Sequence, residues 1–184
     1  MFTQDFLNKT VRFSPPTEWN KNRNNNLLSL LKLIGFLDEN LPNDKLKMCE
    51  LGTFYGESTF LFASSQIFDK IYTIDSLKED EYLIDLFDVD IESVLKTRTE
   101  LLSLYNNIEF IQSDMLDYLK QNKDFDFVYL DANKNLIDVL EEIKNDVDII
   151  GGDDWDFKIV RNSVFRVLGN NIKVFNEKEW IWVR

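Results

Sequence analysis

The chain is 184 residues long, 44% hydrophobic and 29% charged, and its 33 acidic residues outnumber 21 basic ones for a net charge of −12. That size and composition predict one globular domain over residues 1–184. The acidic balance argues against nucleic acid, whose phosphates need clustered Lys and Arg, and against an anionic membrane surface; no apolar run approaches the ~20 residues of a membrane span.

Residues 1–22 hold Pro15, Pro16 and Trp19 without periodicity and read as an irregular amino-terminal arm. The opening MFTQDFLNKT lacks the basic and then apolar layout of a signal peptide. From Asn24 to Leu41, NNNLLSLLKLIGFLDENL repeats apolar residues at helical spacing, with Asn25 or Asn26 as the expected cap. KLKMCEL is a short apolar strand. It carries the only cysteine, Cys49, so no disulfide framework exists and a cytoplasmic setting is expected. A glycine-bearing turn and a helix, ESTFLFASSQIF, follow. KIYTID is a second strand that ends on Asp75, and the acidic SLKEDEYLIDLFDVD reads as solvated helix and loop. IESVLKTRTELLSLY is helical and NIEFIQSD is a third strand. FDFVYLDAN is a fourth, almost wholly apolar and therefore expected to be buried on both faces. KNLIDVLEEIKND is an amphipathic helix, VDIIGGDDW a fifth strand with its turn, and FKIVRNSVFRVLG another helix. NIKVFNEKEWIWVR alternates around NEKE and reads as a β-hairpin.

Strand and helix thus alternate before a closing hairpin. This order predicts a three-layer, Rossmann-like α/β sandwich whose seven-stranded sheet is parallel except for the carboxyl-terminal antiparallel hairpin. In such sheets ligands bind beyond the carboxyl ends of the strands, where strand order reverses. The chemically interesting residues fall there: Glu50–Gly56, Asp75, Ser113–Asp114, Asp131–Lys134 and Gly152–Asp154. Gly52 and Gly56 suit a turn whose backbone N–H groups face an anionic ligand at a helix start. The turn has neither the Gly-Lys-Ser/Thr of a phosphate loop nor the third glycine of a dinucleotide fingerprint. Asp75, ending the second strand, is placed to accept hydrogen bonds from a ribose diol. The combination suggests a nucleoside-containing cofactor. Histidine is absent, so acid–base chemistry falls to Lys, Tyr, Asp, Glu or a metal-bound group.

ELGTFYGES resembles the first motif of class I S-adenosylmethionine-dependent methyltransferases, in the form found in the catechol and caffeoyl-CoA O-methyltransferase type. The resemblance covers about Lys45 to Arg184 and implies that family's seven-stranded fold. It implies that Gly52 and Gly56 lie against the methionine part of the cofactor, that Ser58 binds its carboxylate, and that Glu50 organises its amino end. Asp75 would take the ribose, and Asp114 and Met115 of QSDM would flank the adenine. Thr53, Ser76 and Asp131 complete the implied cofactor site. YLDANK and IIGGDDW are similar to the segments that supply a divalent metal in this type, which would make Asp131, Asp153 and Asp154 the ligands. Three carboxylates meeting at adjacent strand ends repel unless a cation sits among them, and an all-oxygen set suits Mg²⁺. Lys134 is the implied general base, its pKa lowered beside the metal.

Two departures stand out. Asp154 replaces the usual Asn, as in a related group that includes sugar O-methyltransferases, and Asn133 stands where that group often has His. The expected reaction is O-methylation of a small hydroxylated molecule, with a homodimer formed through the edge hairpin as a further expectation. The alternatives are a metal-independent methyltransferase and a protein that binds S-adenosylmethionine without transferring its methyl group. Action on nucleic acid is disfavoured by charge and by the absence of an Asn/Asp-Pro-Pro-aromatic motif after the fourth strand.

Overall fold

The computed structural model describes residues 23–41, 46–77, 91–132 and 136–184. The expected irregular arm with Trp19, the acidic stretch from residue 78 to 90, and Asn133 and Lys134 lie outside the described residues.

The helices are α1 (Arg23–Asn40), α2 (Glu57–Ser65), α3 (Ile91–Leu102), α4 (Met115–Leu119), α5 (Ile137–Ile143) and α6 (Lys158–Leu168). The strands are β1 (Leu46–Leu51), β2 (Phe68–Asp75), β3 (Ile108–Gln112), β4 (Phe127–Leu130), β5 (Ile149–Gly152), β6 (Ile172–Phe175) and β7 (Glu179–Val183). They form one seven-stranded sheet in the order β3-β2-β1-β4-β5-β7-β6. The first five strands pair in parallel, and β7 runs antiparallel to both β5 and β6. The expected fold class is the observed one.

Burial explains why these runs became strands. All of Phe127–Leu130 is buried, as a central parallel strand covered on both faces requires. One face carries a core of Leu33, Ile34 and Leu37 from α1, Phe62 from α2 and Leu101 from α3, packed on Phe127 and Tyr129. The other face packs Leu119, Leu140, Ile143, Val160 and Val164 from α4, α5 and α6 against Cys49, Val128, Ile150 and Trp180. Aromatic rings carry much of the first core: Phe68 stacks on Phe127 at 5.9 Å, and Phe62 meets Tyr129 edge-on at 5.0 Å. No described helix is long and apolar enough to cross a membrane.

Three local details differ from the expectations drawn from sequence. The first helix already runs at Arg23, so Asn25 and Asn26 lie within it and do not cap it. The helix after the glycine turn stops at Ser65, because Gln66 takes a left-handed conformation (φ 62°) and its N–H closes on the Ala63 carbonyl. Phe68 then opens β2, where its ring finds the core. The short helix α4 has no counterpart among the expected elements; the Asp114 carboxylate caps it by accepting the N–H groups of Leu116 and Asp117.

Ser29 fastens α1 to the hairpin. It is fully buried; its hydroxyl donates to the Phe175 carbonyl and accepts the Glu179 N–H at 3.0 Å. Replacing Ser29 with Ala takes the hydroxyl acceptor from the buried Glu179 N–H and leaves the Phe175 carbonyl with the Lys178 N–H at 3.1 Å. A loss of about 2 kcal/mol in chemical denaturation is expected.

Candidate functional site

The sheet's hydrogen-bond ladders continue one residue past the strands and so align a row of strand-end residues. Ser113 donates its N–H to the Asp75 carbonyl (3.1 Å), Gly52 to Ile74 (2.8 Å), Asp131 to Leu51 (2.9 Å) and Asp153 to Leu130 (3.1 Å). Ser113, Asp75, Gly52, Asp131 and Asp153 therefore occupy neighbouring places along one edge. The switch between β1 and β4, where strand order reverses, lies in the middle of it. Gly52 is the tightest point. It has φ +97°, and a Cβ there would lie 2.1 Å from the Asp131 carbonyl oxygen.

The turn after β1 folds onto the acid at the end of β2. The N–H groups of Thr53 and Phe54 both donate to Asp75 Oδ2 at 3.0 Å, and Leu77 donates to Oδ1 at 2.8 Å. Arg98 of α3 completes this arrangement. It is buried, donates to the Phe54 carbonyl at 3.3 Å, lies 3.9 Å from Asp75 Oδ2, and rests on the Phe110 ring at 4.6 Å. The side chain expected to hold a ribose is thus also the anchor of the glycine turn, and a diol at this edge would share Oδ1 with Leu77. Sequence reasoning missed Arg98, although its spacing from Val94 and Leu101, both buried, puts it on the apolar stripe of α3.

Glu50 lies beneath the turn, fully buried. The hydroxyls of Thr59 and Thr73 donate to its Oε2, the latter at 2.8 Å, and Ser58 also reaches the carboxyl. Thr53 and Thr73 share a hydrogen bond of 2.6 Å, which ties the turn into the same network. Oε1 has no hydrogen-bond partner among the described residues. Burial pushes this carboxyl up to about 7, and the three hydroxyls only partly oppose it. Above the network, α2 starts at Gly56 (φ 81°) with no side-chain cap, so the positive end of its dipole faces the turn uncapped.

The other half of the row is acidic. Asp131 is exposed at the end of β4. Asp153 is pushed up to about 6 by burial and, next, by the neighbouring Asp154 charge. Its Oδ1 is buried without a partner among the described residues. Asp154 stands at φ 62°. The β6–β7 turn leans over this segment. Trp155 N–H donates to the Lys178 carbonyl at 2.9 Å, Lys178 Nζ bonds Asp156 at 2.6 Å, and Trp180 Nε1 donates to the Asp153 carbonyl at 3.1 Å. Just below, Tyr129 donates its hydroxyl to buried Glu179 at 2.8 Å. Burial and then the charges around them, Asp131 and Asp153 included, push both groups well above their ordinary ranges. In the sequence, Lys178, Glu179 and Tyr129 read only as hairpin and strand residues.

No protein-family profile matches the sequence, and no curated protein matches it. Solved structures do. A proposed caffeoyl-CoA O-methyltransferase from Staphylococcus aureus superposes with a TM-score of 0.63 at 13% identity, over 98% of each chain. A proposed O-methyltransferase from Klebsiella pneumoniae gives 0.57 at 16% identity, over 97% of this chain and 87% of the other. Precorrin-6y C5,15-methyltransferase from Geobacter metallireducens gives 0.52 at 11%, over 72% and 67%. The fold is that of the S-adenosylmethionine-dependent methyltransferases.

On this methyltransferase fold the residues expected to hold the cofactor gather along one edge. Gly52, Thr53 and Gly56 form the turn, Asp75 ends β2 with Ser76 just after it, Asp114 and Met115 follow β3, and Asp131 follows β4. Asp114 spends its Oδ1 on capping α4, and Met115 packs half-buried on the core beside Leu119. The metal fares differently. Among the described residues no group of three or more His, Cys, Asp or Glu is arranged to hold an ion. Asp131 follows β4 and the Asp153–Asp154 pair follows the adjacent β5, with Asp153 Oδ1 buried and unpartnered among the described residues.

Proposed function

We propose that the protein is a cytoplasmic S-adenosylmethionine-dependent methyltransferase that methylates a hydroxyl of a small molecule such as a phenol or a sugar. The observation that carries this reading is the meeting of Gly52, Asp75 and Asp131 at the switch point, on a fold shared with methyltransferases. The uncapped start of α2 suits the carboxylate of the methionine part, and the unpartnered Glu50 Oε1 suits its ammonium. The acceptor oxygen attacks the methyl carbon in line, the carbon–sulfur bond breaks, and the hydroxyl proton passes to a base, for which Lys134 is the candidate. Holding the two reactants at contact supplies most of the acceleration in such a transfer. The net charge of −12 favours a small acceptor over nucleic acid. The edge strand β6, with Val174 exposed, is the surface through which a second copy would pair.

Calorimetric titration with S-adenosylmethionine tests the reading. Stoichiometric binding is expected, weakened at least about tenfold by Asp75→Ala, which removes the anchor of the turn. Absence of binding to the folded native chain would overturn it. Mass spectrometry of a hydroxylated-metabolite panel then separates the enzyme from a protein that binds the cofactor without turnover.

A further inference from the structure

The glycine turn holds one residue in a backbone conformation that its side chain disfavours. The Thr53 carbonyl accepts the Gly56 N–H at 2.7 Å, which makes Phe54 the first central residue of a tight turn, and Phe54 stands at φ 43°. Glycine or asparagine is the ordinary choice where a turn needs positive φ, because a bulkier side chain crowds the backbone there. The Phe54 ring is only half-buried, edge-on to Tyr55 at 4.6 Å. The peptide groups on either side of Phe54 are gripped more firmly. Its N–H donates to Asp75 Oδ2 at 3.0 Å, and its carbonyl accepts from Arg98 Nη1 at 3.3 Å. Asp75 Oδ2 and Arg98 Nη1 lie 3.9 Å apart, so an ion pair between two largely buried side chains closes around this one residue. The guanidinium is held in turn by the Phe110 ring at 4.6 Å, and the Arg98 stem passes beside Gly56.

We propose that Arg98 is a positioning residue of the cofactor site: with Asp75 it clamps Phe54 in the left-handed conformation and so sets the shape of the Thr53–Gly56 turn. Strain held in place by its surroundings at a binding site pre-organises that site. In this shape the N–H groups of Thr53 and Phe54 both point to Asp75 Oδ2. Oδ1, with only the Leu77 N–H among the described residues, stays open to a ribose hydroxyl. The same turn leads into the uncapped start of α2. Without the guanidinium the Phe54 carbonyl loses this donor and the residue relaxes toward negative φ, which draws its N–H away from Asp75. The inference rests on the cofactor reading proposed above.

Affinity for S-adenosylmethionine, measured by calorimetry in a double-mutant cycle, tests the clamp. R98M removes the donors and keeps much of the aliphatic stem. In the native background it is expected to weaken binding at least about tenfold. In F54G and F54N backgrounds the residue at the turn accepts positive φ without help, and R98M is expected to weaken binding less than about threefold. An arginine that served only the stability of the fold would lose the same factor in all three backgrounds. An R98M loss that is absent from the native background, or undiminished in both of the others, would overturn the proposal. If R98M fails to fold, recovery of a cooperative denaturant transition by F54G or F54N is the expected result, and no recovery overturns it. Absence of cofactor binding to the native chain would remove this inference together with the functional reading. Binding without the coupling removes this inference alone.

Discussion

Gly52→Ala is expected to destabilise the protein by more than about 3 kcal/mol and to abolish cofactor binding in whatever fraction still folds. The residue stands at φ +97°, where any side chain is strained. Steric overlap costs more than that strain. The added Cβ would sit 2.1 Å from the carbonyl oxygen of Asp131 and 2.7 Å from its carbonyl carbon, both backbone atoms of the adjacent strand end. Neither can rotate aside as a flexible side chain would. Relief requires parting β1 from β4 at the switch point, which breaks the Asp131 N–H bond to Leu51 and displaces the turn from Asp75. Gly56→Ala provides the internal comparison. It too has a positive φ, +81°, but its Cβ would meet Leu102 Cδ2 at 3.1 Å, a side-chain terminus that can yield. A loss of about 1–2 kcal/mol is expected there. Denaturant titration of the two variants checks the order, and equal losses would refute the steric account.

The contrast between these glycines shows what is legible in the sequence. Both are recognisable as turn residues, since two glycines after an apolar strand point to close backbone approach. That the approach at Gly52 is to Asp131, some eighty positions away, depends on β4 inserting beside β1, and only the folded sheet specifies that. The same division runs through the molecule. Phe127–Leu130 is readable as a doubly buried strand because burial on both faces demands an unbroken apolar run. The hairpin is legible from its alternation around NEKE. The short helix α4 is not, because five residues give too little periodicity and its cap, Asp114, looks like a ligand residue. Asp75 does end β2 as expected, but its carboxylate is claimed largely by two N–H groups of the glycine turn. Local sequence states which group is present and rarely which partner it takes. Arg98 and Glu179 are hidden for a related reason: each is a charged residue buried by its surroundings, and a charge in a helix or hairpin reads as solvated until the fold covers it. The acids of DDW are legible as a cluster. Their neighbour Lys178, more than twenty residues downstream, is not.

Glu50→Gln is expected to change how stability depends on pH. The native carboxyl is pushed up from an ordinary 4.5 to about 7, chiefly because it is fully buried. Between those values the folded chain keeps a proton that the unfolded chain releases. Stability must then fall as pH rises across that interval. The contribution is fully present below 4.5, is lost as pH climbs through about 7, and is constant above. The interval corresponds to about 3 kcal/mol. Gln accepts the same hydroxyl hydrogen bonds from Thr59 and Thr73 through its carbonyl oxygen but cannot titrate. Asp153, Glu179 and Tyr129 are also shifted upward by burial, so the native protein's whole profile sums several groups. The informative quantity is the difference between the two proteins. Denaturant unfolding at a series of pH values should show Glu50→Gln gaining about 3 kcal/mol relative to the native chain between pH 4.5 and 7, with no further change above. A difference independent of pH would mean that Glu50 ionises inside the fold as it does in water, and that its unpartnered Oε1 is satisfied by something other than a proton.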